Sequence, residues 1–283
     1  MSQGFKYTFL AAFFWAISII LSKYIYRLGE NAYNVTFWSA FLAAPYWIFI
    51  LRKEKKELIT ITKHDYLILF GIALISTVGT AITENLALKF GSAINYSFLI
   101  RTVILFTMFF AYLFLGEKLT LKKIILAVLI LSGAYLLTSN GQVLKLTKGD
   151  IFTLIDAALI ALGNNVFGKM ATNRMSSNLS AAASILIGFF PITMIALINH
   201  AIALPKSLPL MLAITFFGLL ITIFRYRGLK HASASYVTMI FSFTPVMVSF
   251  MALTLLNETM TPIQLLGGGL IVLAGIAVEK LKI

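Results

Sequence analysis

The chain has 283 residues, is 60% apolar and has a mean hydropathy of +0.93, values too high for a soluble domain. Its net charge of +13 is carried by basic residues that cluster in short loops, with no long basic tail, which argues against a nucleic-acid partner. It has no cysteine, which excludes disulfides and thiolate metal sites.

The apolar residues fall in runs of about 20, the length a helix needs to cross a bilayer. They predict ten spans, at residues 5–26, 34–51, 66–87, 91–115, 121–139, 150–170, 179–200, 208–227, 232–256 and 262–280. The first run is longer than a usual signal-peptide core and is expected to stay as a helix. The connections are too short to hold a soluble catalytic domain. The longest polar one runs from Arg52 to Asp65.

Helical spacing gathers polar residues on one face of six spans. Span one carries Trp15, Ser18, Ser22 and Tyr26, and span three carries Thr77, Thr80 and Glu84. Span four places Ser97 beside Arg101, with Tyr96 adjacent. Span six groups Asp156, Gly163, Asn164 and Phe167, and its amide pair Asn164–Asn165 needs partners at mid-membrane. Span eight carries Thr215, Gly218, Thr222 and Arg225. Span nine carries Ser235, Thr238, Ser242, Pro245 and Ser249. Spans two, five, seven and ten lack such a stripe, so the six are expected to surround a polar cavity and the four to form an outer layer. Serine and threonine in membrane helices also bond their own backbone, so no single hydroxyl identifies a binding site.

The chain repeats itself. Leu88, Lys89, Ser92, Ala93, Glu117 and Thr120 recur 141 residues later as Leu229, Lys230, Ser233, Ala234, Glu258 and Thr261. Five spans per copy is an odd number, so the two copies lie in opposite orientations. Lysine and arginine counts agree: with the N-terminus inside, sixteen fall on the inner side and six on the outer, which makes both termini cytoplasmic. Inverted repeats are characteristic of secondary transporters, because two nearly equivalent packings can open one central site to either side.

Arg101 interrupts an apolar run near its middle. A guanidinium at that depth costs about 2.5–3.5 kcal/mol on insertion scales, so it should face protein or water rather than lipid. Its expected role is to bind an anionic group of a solute, a carboxylate or a phosphate. Glu84 and Asp156 are placed to pair with it or to couple transport to protons. Arg225 stands where Glu84 stands in the first copy, near a span end, and reads as an anchor. Lys23 and Lys169 read as snorkelling residues. Glu117 and Glu258 read as helix caps, and Gly267, Gly268, Gly269 and Gly275 as sites of close helix packing. His64, His200 and His231 are scattered and suggest no metal. No Walker A, HExxH or GxSxG motif is present.

Trp15 followed by Lys23, the segment Gly116-Glu117-Lys118-Leu119-Thr120 with Gly133, and the stretch from Pro245 to Asn257-Glu258 resemble the drug/metabolite transporter superfamily, specifically its EamA-type members. The resemblance covers essentially the whole chain. It implies ten helices in two five-helix repeats around a central cavity, alternating access, and export or exchange of small metabolites such as amino acids. Two departures stand out. Span four lacks the proline of span nine, and Arg101 replaces what is apolar in many members, which speaks against a neutral or cationic substrate.

The resulting expectation is an all-α integral membrane protein, with repeats at 1–140 and 148–283, in the plasma or bacterial inner membrane. Its function would be secondary transport of amino acids or related carboxylated compounds. The alternatives are a phosphate-ester or nucleotide-sugar exchanger, or a non-transporting scaffold or intramembrane enzyme. Trp15, Ser18, Tyr96, Ser97, Arg101, Asn164, Asn165, Tyr236, Thr238 and Ser242 are the candidate substrate contacts. Its partners would be the substrate and the lipid bilayer, with no cofactor and no metal, as a monomer or homodimer.

Overall fold

Helices in this chain begin where a short polar side chain takes up the free N–H groups of the first turn. The computed structural model describes residues 1–90, 96, 98–143, 145, 147–255 and 260–281, with backbone alone at positions 23, 77, 81, 85, 88, 89, 252 and 255. Ser2 accepts from the Phe5 N–H at 3.1 Å and starts α1 (Gln3–Arg27); Asn31 accepts from the Tyr33 N–H at 2.8 Å and starts α2 (Ala32–Lys53). A short α3 (Lys55–Leu58) lies in the longest polar connection. A Thr62–Asp65 capping box then opens α4 (Lys63–Ala73), which passes through a π-helical turn (Leu74–Gly79) into α5 (Thr80–Phe90).

Span four contains a 3₁₀ turn (Ile100–Thr102) that holds Arg101 and leads into α6 (Val103–Leu115). That helix stops at Gly116, whose φ of 66° suits glycine. Next come α7 (Leu121–Ser139) and α8 (Lys148–Leu159), then a π-helical segment (Ile160–Phe167) leading into α9 (Gly168–Arg174). The chain continues through α10 (Ser177–Ile198) and α11 (Leu208–His231). It ends with α12 (Ala234–Phe241), α13 (Phe243–Leu255) and α14 (Pro262–Leu281).

Among the described residues, eight helical stretches are long and apolar enough to cross a membrane, and Ile100–Leu115 is a shorter apolar one. Their outer faces carry large exposed apolar side chains such as Leu67, Phe190 and Leu273. Water would not leave such a surface uncovered, whereas lipid covers it at no cost. This is a multi-pass membrane protein.

The helices pack in a pattern with matching halves. α1 lies on α11 and on α12–α13, while α8 with its π segment lies on α5 and α6. α2 pairs with α10, α7 pairs with α14, and α6 meets α12. The α7–α14 pair is a backbone-to-backbone crossing: a Cβ added at Gly133 would come within 2.6 Å of the Gly267 carbonyl oxygen, and one at Gly267 within 2.6 Å of the Gly133 carbonyl oxygen. Gly275 meets the Phe243 ring in the same way, whereas Gly268 and Gly269 face open space. The two π-helical turns abut each other, with Gly163 directly against Ser76.

Two clasps hold the ends. Ser2 donates to Glu279 through its backbone N–H (2.8 Å) and its hydroxyl (3.0 Å), which fixes both termini at one end of the bundle, here the terminal side. Asp65 accepts from the Thr62 N–H (2.7 Å) and hydroxyl (2.8 Å) and from Arg174 Nε, tying α4 to α9. Burial by itself pushes the Asp65 carboxyl up, but the hydrogen bonds from Arg174 and Thr62 outweigh it and hold the group down at about 2. A depressed carboxyl contributes stability that is complete above its unfolded pKa and is lost as pH falls through the folded value. Asp65→Asn should therefore melt below the parent at neutral pH. The gap should persist down to about pH 4 and close toward pH ~2, in thermal unfolding of the detergent-solubilised protein.

Candidate functional site

Arg101 sits in the 3₁₀ turn where span four loses its regular α-helical register. Its guanidinium carbon lies 6.0 Å from the centre of the Trp15 ring. The Trp15 ring lies 5.7 Å from the Phe241 ring, and the Arg225 guanidinium carbon stands 5.9 Å from the centre of Phe241. Two arginines from different helices thus flank a central aromatic pair contributed by α1 and α12. A cation over a partly exposed ring such as Trp15 is worth about 0.5–1 kcal/mol, less than the cost of burying a guanidinium nitrogen with nothing else to bond. Arg101 has that deficit: its Nε is buried without a hydrogen-bond partner.

Neither Glu84 nor Asp156 makes an ion pair with Arg101 among the described residues. Asp156 is buried and accepts from the Tyr96 hydroxyl at 2.9 Å and from the Thr83 hydroxyl at 2.9 Å. Tyr96 lies near Glu84 as well, so the tyrosine and the two carboxylates form one cluster. Glu84 is near Tyr26 and Tyr33, which places this acidic cluster toward the side away from the termini. Thr83 was not singled out by the sequence, although it adjoins Glu84 and precedes it on the same helix.

On the terminal side of the aromatic pair the polar group is different. Asn165 is buried in the π-helical segment; its amide donates to the Thr107 hydroxyl at 2.9 Å and accepts from Arg225 Nη2 at 2.8 Å. These partners fix which way the amide points. Arg225 therefore reaches inward, across to span six, and is not the interface anchor expected from its position near a span end. The signal was present in the stripe itself, since Thr222 and Arg225 are three residues apart on one face. That face lies between the side of α11 that meets α1 through Phe217 and Phe224 and the side that packs near α2 and α10 through Tyr226. On it, a Cβ added at Gly218 would meet nothing within 4 Å, so the inward face of α11 borders open space.

The remaining candidates divide. Ser18 and Asn164 are partly buried, in the helical segments that carry Trp15 and Asn165. Thr238 and Ser242 are buried and turn their hydroxyls to the carbonyls of Ala234 (2.8 Å) and Thr238 (3.4 Å), one turn back in their own helix. Tyr236 is bonded to Glu279 and packs in a core with Phe5 and Ile240 at the terminal side, remote from the acidic cluster. Ser97 and Glu258 lie outside the described residues, as do the side chains of Lys23, Thr77 and Lys89. Lys169 does not snorkel: its ammonium donates to the Leu229 carbonyl at 2.6 Å, while Lys230 donates to the Thr172 carbonyl at 2.6 Å. This reciprocal pair locks α9 to α11. Glu117 does cap a helix, accepting from the Ala234 N–H at 2.7 Å and from the Ser235 hydroxyl at 2.6 Å at the start of α12.

The profile of the EamA-like transporter family matches residues 2–139 and again residues 147–278. The chain belongs to the EamA-like transporter family. It is 26% identical over 284 residues to an uncharacterized transporter of Archaeoglobus fulgidus, covering 96% of each chain. It is 27% identical over 235 residues to an uncharacterized transporter of Methanothermobacter thermautotrophicus, covering 80% of this chain and 68% of the relative. A protein of known crystal structure shares the fold at 14% identity, with a TM-score of 0.78 over 99% of both chains.

For this EamA-like transporter, Asn165 is the joint between spans four, six and eight. Asn165→Leu removes both of its hydrogen bonds and leaves the Arg225 guanidinium short of a partner, which should cost about 1–3 kcal/mol of stability. Asn165→Asp keeps the acceptor and should recover most of that loss, as read by thermal unfolding in detergent.

Proposed function

We propose that this EamA-like transporter moves small organic metabolites bearing a carboxylate, amino acids foremost, by alternating access. The observation that carries the reading is Arg101: partly buried, over Trp15, with its Nε buried and unpartnered, and without an ion pair among the described residues. An unmet charged donor is expensive in the apo protein and is relieved when a carboxylate arrives. Trp15 offers an apolar surface to the rest of such a solute. Ser18, Ser97 and Asn164 complete the set of proposed contacts.

Ten spans in two inverted repeats, 1–140 and 148–283, give this mechanism its two states. The matching halves of the helix packing and the twofold match of the family profile both support that arrangement. The basic side of the bundle faces the cytoplasm with both termini, in a plasma or bacterial inner membrane, and export is the favoured direction. Glu84 and Asp156, clustered with Tyr96, are the groups through which protons would be coupled. The transporter works as a monomer or homodimer, without cofactor. The second reading, exchange of phosphate esters, gains support from Arg225, a second inward-reaching guanidinium.

Counterflow in proteoliposomes separates these readings. Vesicles loaded with amino acids and organic acids should exchange a carboxylated solute in the parent, and Arg101→Gln should lose at least about 90% of the rate while remaining folded, as expected when a bidentate anion contact is removed. Counterflow of phosphate esters alone would favour the second reading. Unchanged exchange in Arg101→Gln would remove that residue from the mechanism.

A further inference from the structure

Arg225 stands on the terminal side of the Trp15–Phe241 pair, and Arg101 stands over the other ring of that pair. The two guanidiniums have different neighbours. Near Arg101 lies the acidic cluster of Asp156, Glu84 and Tyr96. Arg225 has no carboxylate paired with it among the described residues, and its hydrogen bond goes to a neutral amide. Asn165 is itself held by Thr107, so the guanidinium is aimed rather than free to swing to the membrane surface. Along the same helix face, the position of Gly218 opens on empty space.

A structural arginine in this setting would be expected to meet a carboxylate, because a neutral amide offsets only part of the cost of removing the charge from water. We propose that Arg225, oriented by Asn165, is a second anion-binding position, which takes the solute's carboxylate on the terminal side of the Trp15–Phe241 pair. Phe241 and Trp15 then form an aromatic septum between two cationic stations, and a carboxylated solute passes from one guanidinium to the other. The identity of the solute rests on the function proposed above; the presence of an anion-attracting site at Arg225 does not.

The absence of cysteine makes an introduced thiol a clean probe. Thr222→Cys places one on the same face as Arg225, one turn away. Its rate of reaction would be measured with an anionic reagent, methanethiosulfonate ethylsulfonate, and a cationic one, methanethiosulfonate ethyltrimethylammonium, in vesicles of each orientation. Relative to their rates with a free thiol, the anionic reagent should be favoured from the terminal side. That preference should fall about tenfold in Arg225→Gln, survive in Arg225→Lys, which keeps the charge, and be unmoved by Arg101→Gln beyond the aromatic pair. Equal rates for the two reagents would overturn the proposal. So would a preference that persists in Arg225→Gln, or a thiol that neither reagent reaches from either side. Failure of carboxylate counterflow with the anionic preference intact would overturn the solute class and leave the Arg225 site standing.

Discussion

An arginine cannot be left bare in a low-dielectric interior, and this protein places two there. The cost of desolvating a guanidinium is several kcal/mol, and an aromatic ring or a single amide returns only part of it. The neighbourhood of both residues reflects that imbalance. Arg101 sits in a 3₁₀ turn over Trp15 with one donor unmet, and Arg225 leans on Phe241 with one hydrogen bond to Asn165. Polar joints tie the helices around them: Asn165, which takes the Arg225 hydrogen bond, to Thr107, and, without a bond from either arginine, Asp156 to Tyr96 and Thr83 and Lys169 to Leu229.

Rigid crossings and interrupted helices are distributed unevenly in the bundle. Tight crossings such as Gly133 on Gly267 are rigid because backbone meets backbone, and they belong to the outer pair α7–α14. The inner helices are interrupted instead, by π-helical turns in spans three and six, a 3₁₀ turn in span four and Ser242 between α12 and α13 in span nine. Interrupted helices have fewer regular backbone bonds to break when they bend, and such interruptions recur at functional sites. In the proposed cycle, the outer pairs move as units while the inner segments flex around the aromatic pair.

Much of this was legible in the sequence. Apolar run length located the eight helical stretches that are long enough to cross a membrane among the described residues, and the EamA-type resemblance named the family. The caps at Ser2, Asn31 and Ser176 were not singled out, although a short polar residue before an apolar run is the pattern that marks a helix start. The cap made by Glu117 was legible as a role, but its target, the start of α12 more than a hundred residues later, was not. The site was harder, because a polar stripe shows which face turns inward and not which partner each group takes. Thr238 and Ser242 share a stripe yet bond their own backbone, Tyr236 is committed to Glu279, and Arg225 was read by its distance from a span end when its partner lay inward. The π-helical turns had no sequence signal beyond the small residues Gly79 and Gly163, which mark where those helices touch.

The most direct test of anion recognition at Arg101 is ligand-induced thermal stabilisation, since a compound that binds the folded state raises its melting temperature by mass action. Amino acids and organic acids would be compared with their neutral amides, on the parent and on Arg101→Gln. Recognition through the guanidinium predicts that a carboxylate stabilises the parent, that its amide does not, and that Arg101→Gln abolishes the difference. An amide that stabilises as well as its acid, or an undiminished shift in Arg101→Gln, would contradict it.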